Sequence, residues 1–377
     1  MIVLVFVFCV LLLMYAYILY PYWIAKRAKD KTFNYLSYSL NDILPDVCIV
    51  IPAHNEEKII AEKLNSILTS TYLKEKIHIL VGLDDCSDAT KLIIENQFNF
   101  PNINIVEFAE RQGKPMVLNQ LIQQHTTTNV DLLIITDANI IFEQSTIFEL
   151  VKYFKDEKIG LVDSVLMAKI NHNKREEIYW KYETELKINE SLVFGNILGP
   201  SGACYAIRKK LYIPIPTNFV VDDFFIGFNI LQQKNRTILN SNAICFEDLI
   251  TNWKQEFMRK IRISMGNFQN LFHFKKYAFQ LHTSVGLMFF SHKVIRWLTP
   301  FYLLIIYYIL LLEFTLPILI VTLCLPIIDC LLFIFGVEFK PLRHFHYFIV
   351  MNIAVFIGFI KFCKGVKSNV WKPTARK

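Results

Sequence analysis

Four short segments hold most of the residues that can do chemistry. They are Ile51-Pro-Ala-His-Asn-Glu-Glu57, Leu83-Asp-Asp-Cys-Ser-Asp-Ala-Thr90, Thr136-Asp-Ala-Asn139 and Val221-Asp-Asp223. The first three each follow an apolar run that reads as a buried strand, and two of those runs end in acids. In an open α/β sheet, the carboxyl ends of parallel strands are where ligands bind. Clustered acids there hold a divalent cation, and the cation holds a phosphate. The pattern implies handling of a nucleotide–metal complex. There is no G-x-x-x-x-G-K-[ST] and no G-x-G-x-x-G, so a kinase, ATPase or dehydrogenase has no motif support.

The elements that must position these residues follow from periodicity. Val47 to Ile51 is unbroken and apolar, as a strand covered on both faces requires. Ile60, Leu64, Ile67 and Leu68 then mark one face of a helix. Ile77 to Leu83 predicts a second strand, Ala89 to Asn96 a helix, Ile103 to Phe108 a third strand and Val130 to Ile135 a fourth. Pro115 suits the first turn of a helix whose inner face is Leu118, Leu121 and Ile122. Thr146 and Glu149 predict a capping box before Leu150, Val151 and Phe154. Strand alternating with helix four times implies a parallel, doubly covered sheet. After residue 160 the pattern is less regular: Ile178 to Phe194 reads as a helix and Gly199-Pro-Ser-Gly202 as a turn.

The 377 residues are 54% hydrophobic, too apolar for an ordinary soluble protein, and the excess is segmental. Met1 to Ala25 and Trp297 to Leu312 carry no charge, Phe314 to Glu338 carries only Asp329 before its end, and Phe345 to Ile360 is uncharged. A membrane helix needs roughly 20 apolar residues, so the first and third runs fit. The first is too long for a signal peptide and lacks a basic start and a cleavage site. Lys26, Arg27, Lys29 and Lys31 follow it, which places that flank and residues 26 to 296 in the cytoplasm. The basic C-terminal tail then requires Phe345 to Ile360 to be interfacial or re-entrant. The net charge of +7 faces the membrane, where its basic residues adjoin apolar spans; no nucleic-acid-binding module is present. Eight cysteines without paired spacing, in apolar runs or a cytoplasmic domain, imply reduced thiols.

From Val47 to Gln269 the order of motifs resembles the inverting family 2 glycosyltransferases, in the membrane-embedded branch that includes cellulose, hyaluronan and poly-N-acetylglucosamine synthases. The resemblance implies an α/β fold: a GT-A, Rossmann-like, mostly parallel sheet flanked by transmembrane helices. It implies nucleotide-sugar binding by Pro52, Asn55 and Glu56 at the first strand-to-helix turn, a place where a plain helix cap would read the same. Asp84 and Asp85 match the acids that bind the uridine, while Asp88 reads as a cap for the next helix. Arg111-Gln-Gly-Lys114 resembles the Arg-x-Gly-Lys whose lysine meets the phosphates. Asp137 and Asn139 resemble the DxD motif and would hold Mg²⁺ or Mn²⁺, with an amide where the family has its second acid. Gly202 resembles the small-residue turn beside the acceptor, and Asp222-Asp223 the Glu-Asp pair whose second acid is the catalytic base. Arg259 and Arg262 stand where processive members carry Gln-x-x-Arg-Trp; Arg262 would steady the diphosphate, and Ile263 replaces the stacking Trp.

The domains expected are a transmembrane helix over 1–25, a juxtamembrane linker over 26–46 and a GT-A domain over 47–275. An interfacial amphipathic segment over 276–296, membrane helices over 297–362 and a basic tail over 363–377 follow. The function implied is a multi-pass enzyme of the cytoplasmic membrane, moving sugar from a nucleotide-diphosphate donor (a UDP-sugar) to a glycan or lipid-linked hydroxyl, with no nucleic-acid partner. Alternatives are a processive synthase that extrudes polymer, a polyprenyl-phosphate sugar transferase, and a membrane transporter or scaffold with a nucleotide-sensing domain.

Overall fold

With no polar side chain to offer either face, Val47-Cys-Ile-Val-Ile51 is stable as a strand only when both faces are covered. In the computed structural model it lies in β1 (Val47–Ala53), buried along nearly its whole length. The structure describes residues 1–126, 130–169, 174–248, 252–334 and 339–366. Most of the basic tail expected over 363–377 lies outside the described residues. The chain divides into two compact units, Ile24–Thr251 with Val366–Lys377, and Met1–Trp23 with Asn252–Gly365.

The first unit is built on one sheet. Its other strands are β2 (Ile77–Asp84), β3 (Ile103–Phe108), β4 (Leu132–Thr136), β5 (Ile141–Phe142), β6 (Ile159–Ala168), β7 (Cys204–Arg208) and β8 (Arg236–Glu247). Their order is β3-β2-β1-β4-β7-β6-β8-β5. β1 pairs parallel with β2 and β4, and β2 parallel with β3, as strand–helix alternation predicts. Beyond β4 the sheet turns mixed: β7 runs antiparallel to β4 and β6, while β6 and β8 are parallel. These later strands escape a periodicity reading for a physical reason. Asp163 and Ser164 interrupt the apolar run of β6, Asn240, Ser241 and Asn242 interrupt β8, and the register shifts between Asp163 and Val165.

Helices cover the sheet where apolar spacing places them. Ile60–Leu68 buries Ile60, Leu64 and Ile67 against the β1–β2–β4 core, with Ile49, Ile51, Val81 and Ile134. Truncating one of these fully buried aliphatics to Ala costs about 2–5 kcal/mol. The other helices that carry motif residues are Thr90–Gln97, Lys114–Gln120 and Asp222–Gln232. The capping box expected at Thr146 and Glu149 is displaced. The helix Thr146–Val151 starts from Ser145, and the buried Thr146 hydroxyl donates instead to the Ile244 carbonyl of β8.

The second unit is helical. Ile2–Ala28, whose residues from Ile24 onward belong to the first unit, and Pro341–Cys363 are each long and apolar enough to cross a membrane. So are Ser284–Trp297 and Thr299–Glu313 taken together, which meet at 52°. Phe345 to Ile360, expected to be interfacial or re-entrant, lies inside the 23-residue helix Pro341–Cys363. Counting only uncharged residues cut the helix short, because stems such as that of Lys361 add apolar length at its end. Trp253–His273 packs along Lys340–Cys363, with Ser264 Oγ donating to Val355 O at 2.9 Å.

Candidate active site

The antiparallel entry of β7 beside β4 makes the site. Thr136 faces Cys204 across that pair, so the Asp137 amide reaches the Ala203 carbonyl at 3.2 Å. The acids after β4 and the small-residue turn before β7 thereby stand side by side, although 65 residues of sequence separate Asp137 from Gly202. The helix Asp222–Gln232 points its N-terminus at the same place, where its dipole favours negative charge.

Lys114 is the hub. Gly113, at φ +81°, turns the chain into the helix Lys114–Gln120, and the Lys114 Nζ reaches Asp137 Oδ1 at 2.8 Å and Asp222 Oδ2 at 3.3 Å. Burial works against the charge on Lys114, yet Asp137, Asp222 and Asp223 hold its pKa well above the ordinary lysine value. Asp222 Oδ2 is buried and accepts no hydrogen bond, so Lys114 meets it as a charge alone.

Asp223 differs from its neighbour. Its Oδ1 accepts the Phe224 amide at 2.5 Å. Burial, then the like charge of Asp222, push its pKa up to about 6, against the pull of Lys114. Opposite it lies Gly202 at φ +80°, where a Cβ would fall onto Asp223 Oδ2. Only glycine allows that approach at that φ. The turn is held from below by Asp163, which accepts the Ser201 amide at 3.0 and 3.1 Å, the Ser201 hydroxyl at 3.0 Å and Lys187 Nζ at 3.2 Å.

The first two motifs lace together. Asn55, at φ +54°, accepts the Ser87 amide at 2.8 Å, and Asp88 accepts the amides of Glu57 and Thr90, both at 3.0 Å. Asp84 is buried, and its carboxylate takes the Gln112 amide at 2.6 Å, the Gly113 amide at 2.9 Å and Arg111 at 3.1 Å. It thus shapes the loop that delivers Lys114. Asp85, exposed and at φ +54°, is the acid of that pair that stays open. Pro52 ends β1. Arg259 and Arg262 lie on Trp253–His273, in the other unit.

Three side chains at this site escape the motif reading. Asp163 and Lys187 are buried polar residues, and a lone acid inside an apolar strand is the signal that would have found the first. Glu247, at the end of β8, accepts from the Asn139 amide at 2.9 Å. With its nitrogen turned to Glu247, Asn139 keeps its carbonyl oxygen for another partner. Asp137, Asn139 and Glu247 are hard oxygen donors, and the orphaned Asp222 oxygen adds negative charge nearby, so the set suits a hard divalent cation. Among the described residues there is no group of three or more His, Cys, Asp and Glu side chains arranged to hold a metal. A Mg²⁺-like ion that rides on a substrate's diphosphate needs only one or two carboxylates from the protein.

Residues 48–215 match the family model described as Glycosyl transferase family 2. The chain is 32% identical over 124 residues to the probable glycosyltransferase YdaM of Bacillus subtilis, a match covering 32% of this chain and 29% of that protein. It is 34% identical over 87 residues to the glycosyltransferase AglE of Haloferax volcanii, covering 22% and 28%. Each match thus takes in less than a third of the relative's length. Among solved structures, the chain is similar to the mannosyltransferase PcManGT of Pyrobaculum calidifontis, in complex with GDP-Man and Mn²⁺. The TM-score is 0.73 at 20% identity, over 95% of this chain and 99% of that one. The fold is therefore GT-A, and the part of the first unit over residues 48–215 is similar to family 2 glycosyl transferase domains.

Proposed function

We propose that this chain is a membrane-anchored inverting glycosyltransferase that moves a sugar from a nucleoside diphosphate sugar, UDP-linked, to a hydroxyl of a glycan or lipid-linked acceptor at the cytoplasmic face. One observation carries the reading. A lysine bridges the acid after β4 and the first acid of the Asp222–Asp223 pair, and the second acid of that pair has a pKa suited to a base. The family model supports the reaction class, and the two long apolar helices support the anchoring.

The chemistry follows from the environments. Lys114 releases its carboxylates to meet the incoming diphosphate, to which an ammonium is a strong counter-charge. Asp85 and Asn55 lie on the loops that would take the nucleoside. Asp223 takes the proton of the acceptor hydroxyl, whose oxygen attacks the anomeric carbon from the face opposite the departing diphosphate. Inversion is the outcome, so an α-linked donor gives a β-linked product. Asp137 and Asn139 would hold Mg²⁺ or Mn²⁺, which supplies charge neutralisation for the leaving diphosphate.

The test is to incubate membranes bearing the chain with radiolabelled UDP-glucose, UDP-N-acetylglucosamine and GDP-mannose, with Mn²⁺ and with EDTA. Incorporation from one donor, lost in EDTA and in Asp137→Asn, agrees with the reading. Incorporation from none, or undiminished incorporation in Asp137→Asn, contradicts it.

A further inference from the structure

Lys63 is fully buried, which lysine almost never is without a partner. It sits in the first unit on the helix Ile60–Leu68, beside Ile60, Leu64 and Ile67, which fill the same core with apolar side chains. Packing alone asks for no ammonium there, and removing one from water costs several kcal/mol. The contacts of the ammonium supply a reason for it. Nζ donates to Thr136 Oγ1 at 3.0 Å and to the Ile140 carbonyl at 2.6 Å, and lies 3.6 Å from the centre of the Phe142 ring. Thr136 precedes Asp137 and Ile140 follows Asn139, so the two acceptors bracket the turn that carries both residues.

We infer that Lys63 is the positioning residue of the diphosphate end of the site, pinning both ends of the Thr136–Ile140 turn so that Asp137 and Asn139 present their oxygens to one ligand. This rests on the donor-binding reading above. The division of labour between two lysines supports it. Lys114 holds the Asp137 carboxylate itself and must let go when a diphosphate arrives, whereas Lys63 holds the backbone and hydroxyl of the turn from inside the core and keeps its bonds throughout. Burial draws the Lys63 pKa down to about 8, against the thiols of Cys204 and Cys245 and the Asp137 carboxylate, so it is still mostly charged at neutral pH. The charge also lies near the turn in which Asn139 stands where the family has an acid, and a rigid turn matters more when one ligand is a neutral carbonyl.

Calorimetric titration of UDP and GDP into the full-length protein in detergent, with Mn²⁺ and with EDTA, tests this in Lys63→Met, Thr136→Val and Asp137→Asn. Changing residues that orient metal ligands typically costs about 10- to 100-fold in metal affinity. The Mn²⁺-dependent gain in nucleotide affinity should fall by that factor in Lys63→Met and Thr136→Val. The affinity in EDTA, which reports the nucleoside end, should stay within about twofold. If Lys63→Met does not fold, the near-isosteric Thr136→Val decides. A loss in Asp137→Asn with none in Lys63→Met or Thr136→Val overturns this inference alone. Equal losses with and without Mn²⁺ also overturn it, since they mean general unfolding of the site. Equal affinity of the parent in Mn²⁺ and EDTA overturns the donor-site reading and this one with it.

Discussion

Asp223→Asn isolates the proposed proton transfer. The amide oxygen can still accept the Phe224 amide that Asp223 Oδ1 now accepts at 2.5 Å, so the side chain stays in place opposite Gly202. What it loses is the ability to take a proton. A positioned base contributes about 10²- to 10⁴-fold, or about 3 to 5 kcal/mol on the barrier. The parent should show the matching pH dependence. With a pKa raised to about 6, the base is half ionised at that pH, so initial rates at pH 5 should be about a tenth of the plateau. This acid limb belongs to the Asp222–Asp223 pair and should be absent from the residual activity of the variant. Stability should move the other way. A carboxyl whose folded pKa lies above its unfolded value of 3.8 binds more protons when folded, so its cost to stability grows as pH rises from 3.8 to about 6 and is complete above that. That cost reaches about 3 kcal/mol, so Asp223→Asn should melt higher than the parent at pH 7.5 and near it below pH 4. Initial-rate profiles with the best donor from the radiolabelled panel, and melting curves at the two pH values, measure both. Parental rates in the variant, or a parent profile flat from pH 5 to 8, would refute the assignment of the base.

Gly202→Ala forces a Cβ at φ +80° onto Asp223 Oδ2 and should cost at least tenfold in turnover and about 1–3 kcal/mol in stability; parental turnover would separate that turn from the base. A cysteine at the exposed Lys155 should resist an impermeant maleimide in intact cells and react after lysis; labelling without lysis would reverse the topology. Products should be one or a few sugars per acceptor when donor is in excess, because Ile263 lacks a stacking ring. Nor does Phe268 replace it, being buried against Phe359 and Phe362. High-mass product beside untouched acceptor would show that chain retention needs no ring there.

What was legible in the sequence was what a short window can hold. β3 falls at Ile103–Phe108 as the sequence predicts, although it is a half-exposed edge strand carrying Asn104 and Glu107; β1, β2 and β4 agree within two residues at either end, because a strand covered on both faces is apolar along most of its length. Asp137, Asp222, Gly202 and Lys114 were legible as motif residues, and the structure gathers them. The order of strands was not legible past β4, since β7 pairs with residues far away in sequence, as Thr136 with Cys204 and Asp163 with Tyr205, and nothing local in Cys204–Arg208 names its neighbours. Nor were the residues beneath the motifs. Lys63 falls at i+3 from Ile60, on the same apolar face as Leu64 and Ile67, but a lysine there reads as one that snorkels to the edge, and only the packed fold shows its ammonium turned inward.

The acids of the site are one residue type in four environments, and environment alone separates what they can do. Asp84 is buried and spends most of its acceptor capacity on two backbone amides and Arg111, so it shapes a loop rather than meeting a moving ligand. Asp137 is half-exposed and, among the described residues, its carboxylate is tied by the Lys114 ammonium, a partner that a diphosphate can draw away, so it suits exchange between free and bound states. Asp222 is buried, its Oδ2 faces the Lys114 ammonium at 3.3 Å, and its like charge falls on the neighbouring Asp223. That charge, added to burial, leaves Asp223 with the raised pKa of a base. Environments that push titratable neighbours apart assign acid and base roles in active sites generally. Here Lys114 sets the balance: it meets Asp137 and Asp222 directly and lowers the pKa of Asp223. In the proposed reaction, Lys114 turning to a bound diphosphate would weaken the pull that lowers the Asp223 pKa and so strengthen the base once donor is in place.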